Sequence, residues 1–547
     1  HLLQQQHLQQ QHKATGLSPS GRPWLSETGG AASVAAAVRR ASDSCGYARG
    51  NRWCPGLRED SAHQQVEVLE HETRDGTNGS SSSSGSRAAP NAAISKRAAP
   101  SWQVVRGMDG TLEGFAQPKQ VSPHIRHLLD KVSQFALQTH PVPTTTSDPP
   151  EPLPDPKAPW HAQPQDPLKF NPLTEGEIAQ LLEARGADFW AVVEAADQLR
   201  ARVCGNVVTH TVNRNINYTN VCTFGCGFCA FSKGKVSDLV RGPAYLIPMA
   251  EITRRTAEAW DRGATEVCMQ GGIHPDFTGS TYLDIVAAAK AGAPDMHVHA
   301  FSPLEVFEGA RSLGVSLADF LTSLHDAGCD SLPGTAAEVL HDGVRAVLCP
   351  DKINTAEWLE VVETAHSVGL RTTATLMFGH VEHGPITWAA HLHALRSLQA
   401  RTSGITEFVP LPFVHMEAPV YLKGLARRGP TLHECMLLHA VSRLALHPHI
   451  TNIQASWPKM GPEMAAQLMT SGCNDMGGSL MNESITKAAG GPWGQELPPS
   501  EMQRFIRAAG RVPLHRTTVY RAPPADRSAA SLDPEVAGKP LAPLVFK

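Results

Sequence analysis

Between residues 207 and 476 short β-branched runs alternate with longer amphipathic ones, and that alternation leaves the chain few ways to fold. Strands are predicted at 207–212, 265–269, 297–301, 329–332, 372–378, 405–409, 450–454 and 473–476. Helical spacing of apolar residues falls between most of them, at 250–262, 281–291, 356–368, 388–401 and 431–446. A strand that returns through a helix lies parallel to its predecessor. Eight such strands predict an α/β fold closed as a (β/α)8 barrel rather than an open sheet. Two amphipathic stretches, 174–182 and 189–199, read as helices packed ahead of the first strand.

Directly after that strand comes the run 213–231, in which Cys222, Cys226 and Cys229 are spaced C-x3-C-x2-C. A cubane iron–sulfur cluster takes a thiolate on each of four irons, so a loop offering three leaves one iron open to a small molecule. The spacing points to a 4Fe-4S cluster on these cysteines, with S-adenosyl-L-methionine chelating the open iron through its amino and carboxylate groups. Phe228 would lie beside the cluster and pack on the adenine. Zinc is the plainer alternative, but it wants four ligands, and only His210 is a near candidate for the fourth. Disulfide pairing would leave an odd thiol and belongs to small secreted chains.

A net charge of −4 with a pI of about 6.7 gives no footprint for nucleic acid or an acidic membrane. The eleven cysteines suit a reducing compartment, and no run of eighteen apolar residues spans a membrane. The expected location is intracellular and cytoplasmic, with an organelle left open because the sequence starts at His1. Residues 1–120, with their Gln/His run, serine tract and Ala/Pro repeats, read as a disordered low-complexity leader or inter-domain linker. A helix that Ser122 caps and Pro123 starts, together with a Pro-rich insertion, makes up 121–173. The barrel with a C-terminal extension is placed at 174–524 and a tail at 525–547.

In a barrel of this kind the loops after the strands carry the chemistry. Gln270, Gly271 and Gly272 follow the second predicted strand, where two glycines let a backbone approach a ligand and present carbonyls to an ammonium group. His299, Ser302 and Glu305 follow the third, and Glu338 follows the fourth at a helix start, where a carboxylate is also favoured by the dipole. Later strands deliver His380 and Glu382, then Glu407, then Gln454, Ser456, Trp457 and Lys459, then Asn474 and Asp475. Such a set suits a ligand dense in hydrogen-bonding groups.

The cysteine run, with Cys268-Met-Gln-Gly-Gly-Ile-His-Pro-Asp276, Pro333-Gly-Thr-Ala-Ala-Glu338, Thr406-Glu-Phe-Val-Pro-Leu-Pro-Phe413, Asn452-Ile-Gln-Ala-Ser-Trp457 and Asn474-Asp-Met-Gly-Gly478, resembles the tyrosine-dependent, CofH-type half of FO synthase. The likeness covers roughly 174–520 and departs at Pro458 and in the insertion at 140–172. It implies a radical S-adenosylmethionine transferase that cleaves the L-tyrosine side chain and joins the 4-hydroxybenzyl group to 5-amino-6-(D-ribitylamino)uracil in deazaflavin biosynthesis. It also implies an electron donor and a ring-closing CofG-type half, separate or fused upstream. Phe228, Gln270, Gly271, Gly272, Ser302 and Glu338 are the expected cofactor contacts. Gln454, Ser456, Trp457 and Asn474 are the expected substrate contacts, and Glu407, His380, Asn474 and Asp475 the candidates for catalysis. Aminofutalosine synthase and futalosine cyclase of menaquinone biosynthesis share the scaffold and remain the rival enzymes. A non-catalytic zinc or iron–sulfur module is the rival of another kind, and the polar strand ends count against it.

Overall fold

The computed structural model describes residues 29–45, 47, 49, 53–57, 120–140, 171–233 and 243–545. β1 (Val207–Thr211) runs almost straight into β2 (Asn213–Ile216). β3 (Glu266–Met269), β4 (His297–His299), β5 (Ser331–Leu332), β6 (Arg371–Phe378) and β7 (Ile405–Pro412) then add in chain order, each parallel to the one before. β8 (Asp475–Gly478) pairs with one edge of β1 and β9 (Val512–His515) with the other, both in parallel. The seventh predicted strand, 450–454, is reduced to two parallel bridges, Phe408 with Ile453 and Gln454 with Asp475. A third bridge joins Arg214 to Met481. Through these contacts the ladder returns to its start and the ring closes, as the alternation requires.

The expected helices are present as Met249–Asp261, Gly279–Gly292, Thr355–Ser367, Pro385–Thr402 and Leu432–Leu446. Capping boxes start several helices, with Thr174 and Glu177, Asn354 and Glu357, and Thr431 and Glu434 satisfying each other's first-turn donors. Between β4 and β5 the chain makes two helices, Pro303–Leu313 and Leu317–Asp326, separated at Gly314, whose φ of 67° is the left-handed turn that ends the first. Ser122 stands at the start of Pro123–Thr139, but its hydroxyl donates to Asp188 at 2.8 Å instead of capping.

Alternation along the strands decides what faces the helices. Val208, Val212, Ile216, Val267, Met269, Val298, Ala374, Leu376 and Phe408 all lie in the apolar layers between strands and helices. Helix Leu432–Leu446 is buried along its whole length, since Ala187–Cys204 packs over it. The opposite faces of the strands carry Thr209, Thr211, Asn213, Asn215, Glu266, Cys268, Thr373, Thr375 and Glu407. Asn215, Cys268, Gln270, Met377 and Gln454 are half-buried although their outward neighbours are fully buried, so the ring encloses an open polar chamber.

Part of the span read as a low-complexity leader is ordered. Helix Gly29–Ala41 and residues 42–45, 47, 49 and 53–57 dock on the loops above β6 and β7; the remainder of 1–119 lies outside the described residues, as does most of the Pro-rich insertion, 141–170. Arg39 donates to the Gly424 carbonyl at 2.8 Å, Arg49 to the Gly429 and Pro430 carbonyls at 2.8 and 2.9 Å, and the Ser44 amide to Glu434 at 2.8 Å. Among the described residues no helix is long and apolar enough to cross a membrane.

Arg443 holds the weakest part of the ring. Only 1% exposed, it donates to the Gly472 and Thr451 carbonyls and to Asn474 Oδ1 at 2.9, 2.5 and 2.7 Å, tying helix Leu432–Leu446 to the bridge region before β8. Arg443→Ala would leave three buried acceptors short of a donor and should lower unfolding free energy by about 3 kcal/mol, read as a shift of the urea midpoint. Arg401→Ala, which removes a half-exposed pair with Glu363, should move it by less than about 1 kcal/mol.

Candidate active site

The cysteine loop leaves the C-terminal end of β2 and is fixed from three sides. The loop after β3 lies on one side, where the Gly272 amide donates to the Thr219 carbonyl at 3.0 Å and the Thr223 amide to the Ile273 carbonyl at 2.9 Å. Asn220 ties the loop to the strand-like stretch at 243–247, accepting from the Tyr245 amide and donating to the Pro243 carbonyl at 2.8 and 3.0 Å. On the third side Gly225 donates to Asp351, Gly227 donates to the Leu348 carbonyl and Val420 donates to the Gly227 carbonyl, at 2.8, 2.8 and 2.7 Å. Cys222, Cys226 and Cys229 are all outside disulfides and half-buried. Two sulfurs accept backbone donors: Cys222 Sγ from the Ile273 amide at 3.4 Å and Cys229 Sγ from the Ser232 amide at 3.3 Å.

Gly271 and Gly272 are required by the protein before any ligand. A Cβ on Gly271 would stand 2.3 Å from the Tyr218 ring, and one on Gly272 would stand 2.1 Å from the Val221 carbonyl and 2.9 Å from Cys222 Cβ. Tyr218 in turn donates its hydroxyl to Glu305, which also accepts from the Gly271 amide at 3.1 Å. Glu305 closes a capping box with Ser302, so the Ser302 hydroxyl serves the helix start rather than standing free for a cofactor. Gln270 is braced by Thr335 at 3.1 Å and by Asn217, which donates to its carbonyl at 3.1 Å.

Sequence reasoning missed a cation beside this loop. Lys352 reaches Glu338 at 2.9 Å and sits 5.3 Å over the Phe228 ring. Phe228 thus packs under an ammonium and against the apolar cluster of Leu348, Ala418 and Val420. Burial opposes the charge, but Glu338 and the Cys226 and Cys349 thiols hold Lys352 above its ordinary value. Burial likewise drives the Cys226 thiol upward while Lys352 pulls it down. Lys352 lies in a turn with no motif of its own, and the Asp-Lys pair at 351–352 was the only signal.

The candidates from later strands separate into two groups. His380 has both ring nitrogens engaged, with the Met377 carbonyl at 2.9 Å and with Glu382 at 2.8 Å, inside a fully buried set with Arg427 and Glu434. Asn474 faces the helices, accepting from Arg443 and the Ile453 amide and donating to Asn452. Trp457 is 1% exposed and donates to the Gly478 carbonyl at 2.8 Å. These three hold the ring and do not face the chamber with free polar atoms. Gln454 and Ser456 remain at the chamber wall, with Gly477 making room for Gln454, whose Nε2 lies 2.1 Å from where a Cβ would stand.

Glu407 and Asp475 lie lower than their predicted strand-end positions, because β7 continues to Pro412 and β8 begins at Asp475. They meet at the end where the strands start. Arg516, just past β9, reaches Asp475 Oδ2 at 2.5 Å and Glu407 Oε2 at 2.9 Å, and Tyr520 donates to the same Glu407 oxygen at 2.5 Å. Burial pushes the Glu407 carboxyl up to about 7 against the pull of Arg516, with Asp475 adding to the rise. His297 and His299 share Ser331 Oγ at 2.6 and 2.7 Å, and burial holds His299 down to about 4, which keeps its ring neutral at pH 7.

The donor set fits an iron–sulfur cluster better than a single metal ion. Among the described residues no three His, Cys, Asp or Glu converge as one ion would require, whereas a cubane spreads its thiolates over different irons. His210, the candidate fourth zinc ligand, points outward from β1 and stacks on His515 at 5.4 Å. Six residues of strand, about 20 Å, separate it from the end of β2. Backbone donors to sulfur and a nearby cation are features that tune such clusters.

Family models and relatives agree with this geometry. Residues 216–386 match the Radical SAM superfamily and 402–528 the CofH/MqnC C-terminal region. The FO synthase of Streptomyces coelicolor is 48% identical over 368 residues, which are 67% of this chain and 42% of that protein. The chain therefore spans about two fifths of the length of such relatives. The 5-amino-6-(D-ribitylamino)uracil–L-tyrosine 4-hydroxyphenyl transferase of Methanothermobacter thermautotrophicus is 45% identical over 350 residues, 64% of this chain and 94% of that one. Among solved structures, the hydrogenase maturase HydG from Carboxydothermus hydrogenoformans shares the fold, with a TM-score of 0.51 and 13% identity over 67% of this chain and 84% of that one. The chain belongs to the radical SAM superfamily, whose enzymes use a 4Fe-4S cluster and S-adenosylmethionine, and within it to the family of the methanogen 4-hydroxyphenyl transferase.

Proposed function

We propose that this chain cleaves the side chain of L-tyrosine and joins the 4-hydroxybenzyl group to 5-amino-6-(D-ribitylamino)uracil, the first of two radical steps toward 8-hydroxy-5-deazaflavin. The observation that carries this reading is the match to the methanogen transferase over 94% of that protein's length, with all three loop cysteines held at one mouth of a polar chamber. Cys222, Cys226 and Cys229 hold the cluster. Gly271, Gly272, Gln270 and the Lys352–Glu338 pair border the space for S-adenosylmethionine. When bound, the cluster and S-adenosylmethionine would supply the radical chemistry that opens the tyrosine side chain, while these residues hold and orient them.

The protein's own contribution is containment. Outward cores seal the strands, the C-terminal segment closes the end where they begin, and the docked leader stiffens loops at the opposite end, so a reactive fragment is held away from bulk water. Gln454 and Ser456 contact substrate from the wall, and Glu407 and Asp475 bound it from below. A one-electron donor from outside the chain, and a ring-closing CofG-type enzyme either separate or fused upstream, complete the pathway. The eleven cysteines, none of them in a disulfide, support a reducing intracellular compartment.

Anaerobic reconstitution should give about four irons and four sulfides per chain, and Cys226→Ala should abolish 5′-deoxyadenosine formation while Cys435→Ala, in the buried core, leaves it intact. Stoichiometric zinc without sulfide would sink the cluster assignment. Gly272→Ala should lower iron loading, since its Cβ would push on the Cys222 segment.

With tyrosine, the ribitylaminouracil, S-adenosylmethionine and a reductant, the purified chain should accumulate the 4-hydroxybenzyl adduct by mass. Fluorescent deazaflavin should appear only after a ring-closing enzyme is added. Fluorescence from this chain alone would overturn that division of labour.

A further inference from the structure

The end of the barrel opposite the cysteine loop is closed by a segment from outside the ring. After β9 the chain turns inward, with the Arg516 amide on the His210 carbonyl at 2.9 Å and a tight turn from Thr517 to Arg521. Thr518 bonds Glu266 at 2.7 Å, Arg516 stacks on Tyr520 at 3.9 Å, and both Arg516 and Tyr520 meet Glu407. The result is a floor with three carboxylates, Glu266, Glu407 and Asp475, against one guanidinium.

This floor has unused hydrogen-bonding capacity. Arg516 and Tyr520 both go to Glu407 Oε2, the same one of its two oxygens. Thr211 is 3% exposed and its Oγ1 has no partner among the described residues; it shares the inward face of the strand with Thr209, which bonds Asp475. Asn215 Oδ1, two positions further along the same face, is also unpartnered among the described residues. A buried hydroxyl or amide left without a partner is costly, so a chamber that keeps several is shaped for something that completes them.

The chemistry of the floor selects among ligand parts. Thr209, Thr211, Asn213, Glu266 and Asp475 make the inward face at this depth mostly polar, so an aromatic ring there would desolvate them for nothing in return. Three carboxylates facing one cation repel a ligand carboxylate. An uncharged chain of hydroxyls, each both donor and acceptor, satisfies Glu407, Thr211 and Asn215 together.

We propose that the barrel floor is a polyol subsite, in which Glu407, Thr211 and Asn215 read the sugar-alcohol chain of the substrate while Arg516 and Tyr520 act as positioning residues that hold Glu407. This deepens the function proposed above and rests on it for the identity of the ligand, a pyrimidine carrying a ribityl chain. The pyrimidine ring then lies between the floor and the cysteine loop, and tyrosine on the cluster side of it.

The test is calorimetric binding to the reconstituted chain of 5-amino-6-(D-ribitylamino)uracil and of 5-amino-6-(methylamino)uracil, which lacks the polyol. Wild type should bind the ribityl compound at least about tenfold more tightly. Thr211→Val and Glu407→Gln, both close in shape to the native residues, should each erase most of that ratio by weakening the ribityl compound alone. Equal affinities in wild type, or equal losses for both compounds in the two variants, would overturn the subsite. A preserved binding ratio with no tyrosine-derived adduct in wild type supports the subsite and overturns the proposed reaction instead.

Discussion

Inside the ring, Glu266, Glu407 and Asp475 face one another, and the guanidinium of Arg516 stands between two of them. Three buried carboxylates would repel and would each lack the hydration that charge demands. Arg516 supplies the compensating charge, Thr518 and Tyr520 supply further donors, and Thr209 and Asn213 supply the rest from the strand itself. The C-terminal segment is therefore part of the barrel's internal electrostatics. Removing one member of a buried charged set leaves the others uncompensated, at about 3–5 kcal/mol. Two of the three carboxylates also come from β7 and β8, which meet only through bridges in the intervening stretch, so Arg516 bonds across the thinnest part of the ring.

A polar chamber also decides where stability resides. The inward faces of the strands add little hydrophobic burial, so the outward faces and the helices carry it, at about 1.5–3 kcal/mol for each large apolar side chain fully buried. Trp358, Trp388, Phe378 and Phe301 all lie in those outer layers, none in the chamber. This is also why helix Leu432–Leu446, whose sequence shows apolar residues on every side, needs the N-terminal helices: Ala187–Cys204 covers the side that faces away from the strands. Rigid outer walls in turn let the cysteine loop be held by backbone contacts to its neighbours, which is what the close approach at Gly271 and Gly272 requires.

Most strands and helices were legible because two periods alternate cleanly over the barrel. The stretch 450–454 reads as a strand from composition alone, yet only Ile453 and Gln454 bridge their neighbours. β9 was missed because Pro513 interrupts its apolar pattern, which is tolerated since it lies on an edge. The cysteine trio and the Gly-Gly pair were legible as a unit from spacing. Lys352 was not, because its role comes from the fold bringing one turn over the Phe228 ring. Glu407 was read one turn too high: a polar residue early in a strand and one at its end look alike until the strand's full length is known. His380, Asn474 and Trp457 show the same limit in another form, since a polar residue near a strand end serves the ring as readily as the ligand.

A few described residues of the leader contact the barrel. Arg39, Arg49 and the backbone of Ser44 bond to carbonyls and to Glu434 in the loops above β6 and β7. Those same loops, with the first turn of helix Leu432–Leu446, hold the buried set of Glu382, Arg427 and Glu434, and Asp43 of the leader pairs with Arg185 at 2.5 Å. Although burial works against it, His380 and Arg427 hold the Glu382 carboxyl well below its ordinary value, so the set is charged at pH 7. Charged groups packed this densely fix a loop only if every donor and acceptor is met. The docked leader meets several of them, and Val420 of the same loops donates to Gly227 between the second and third cysteines. A continuous chain of contacts thus runs from the leader through the β7 loop to the cysteine loop, and links the thiols to residues that lie more than a hundred positions before the barrel begins.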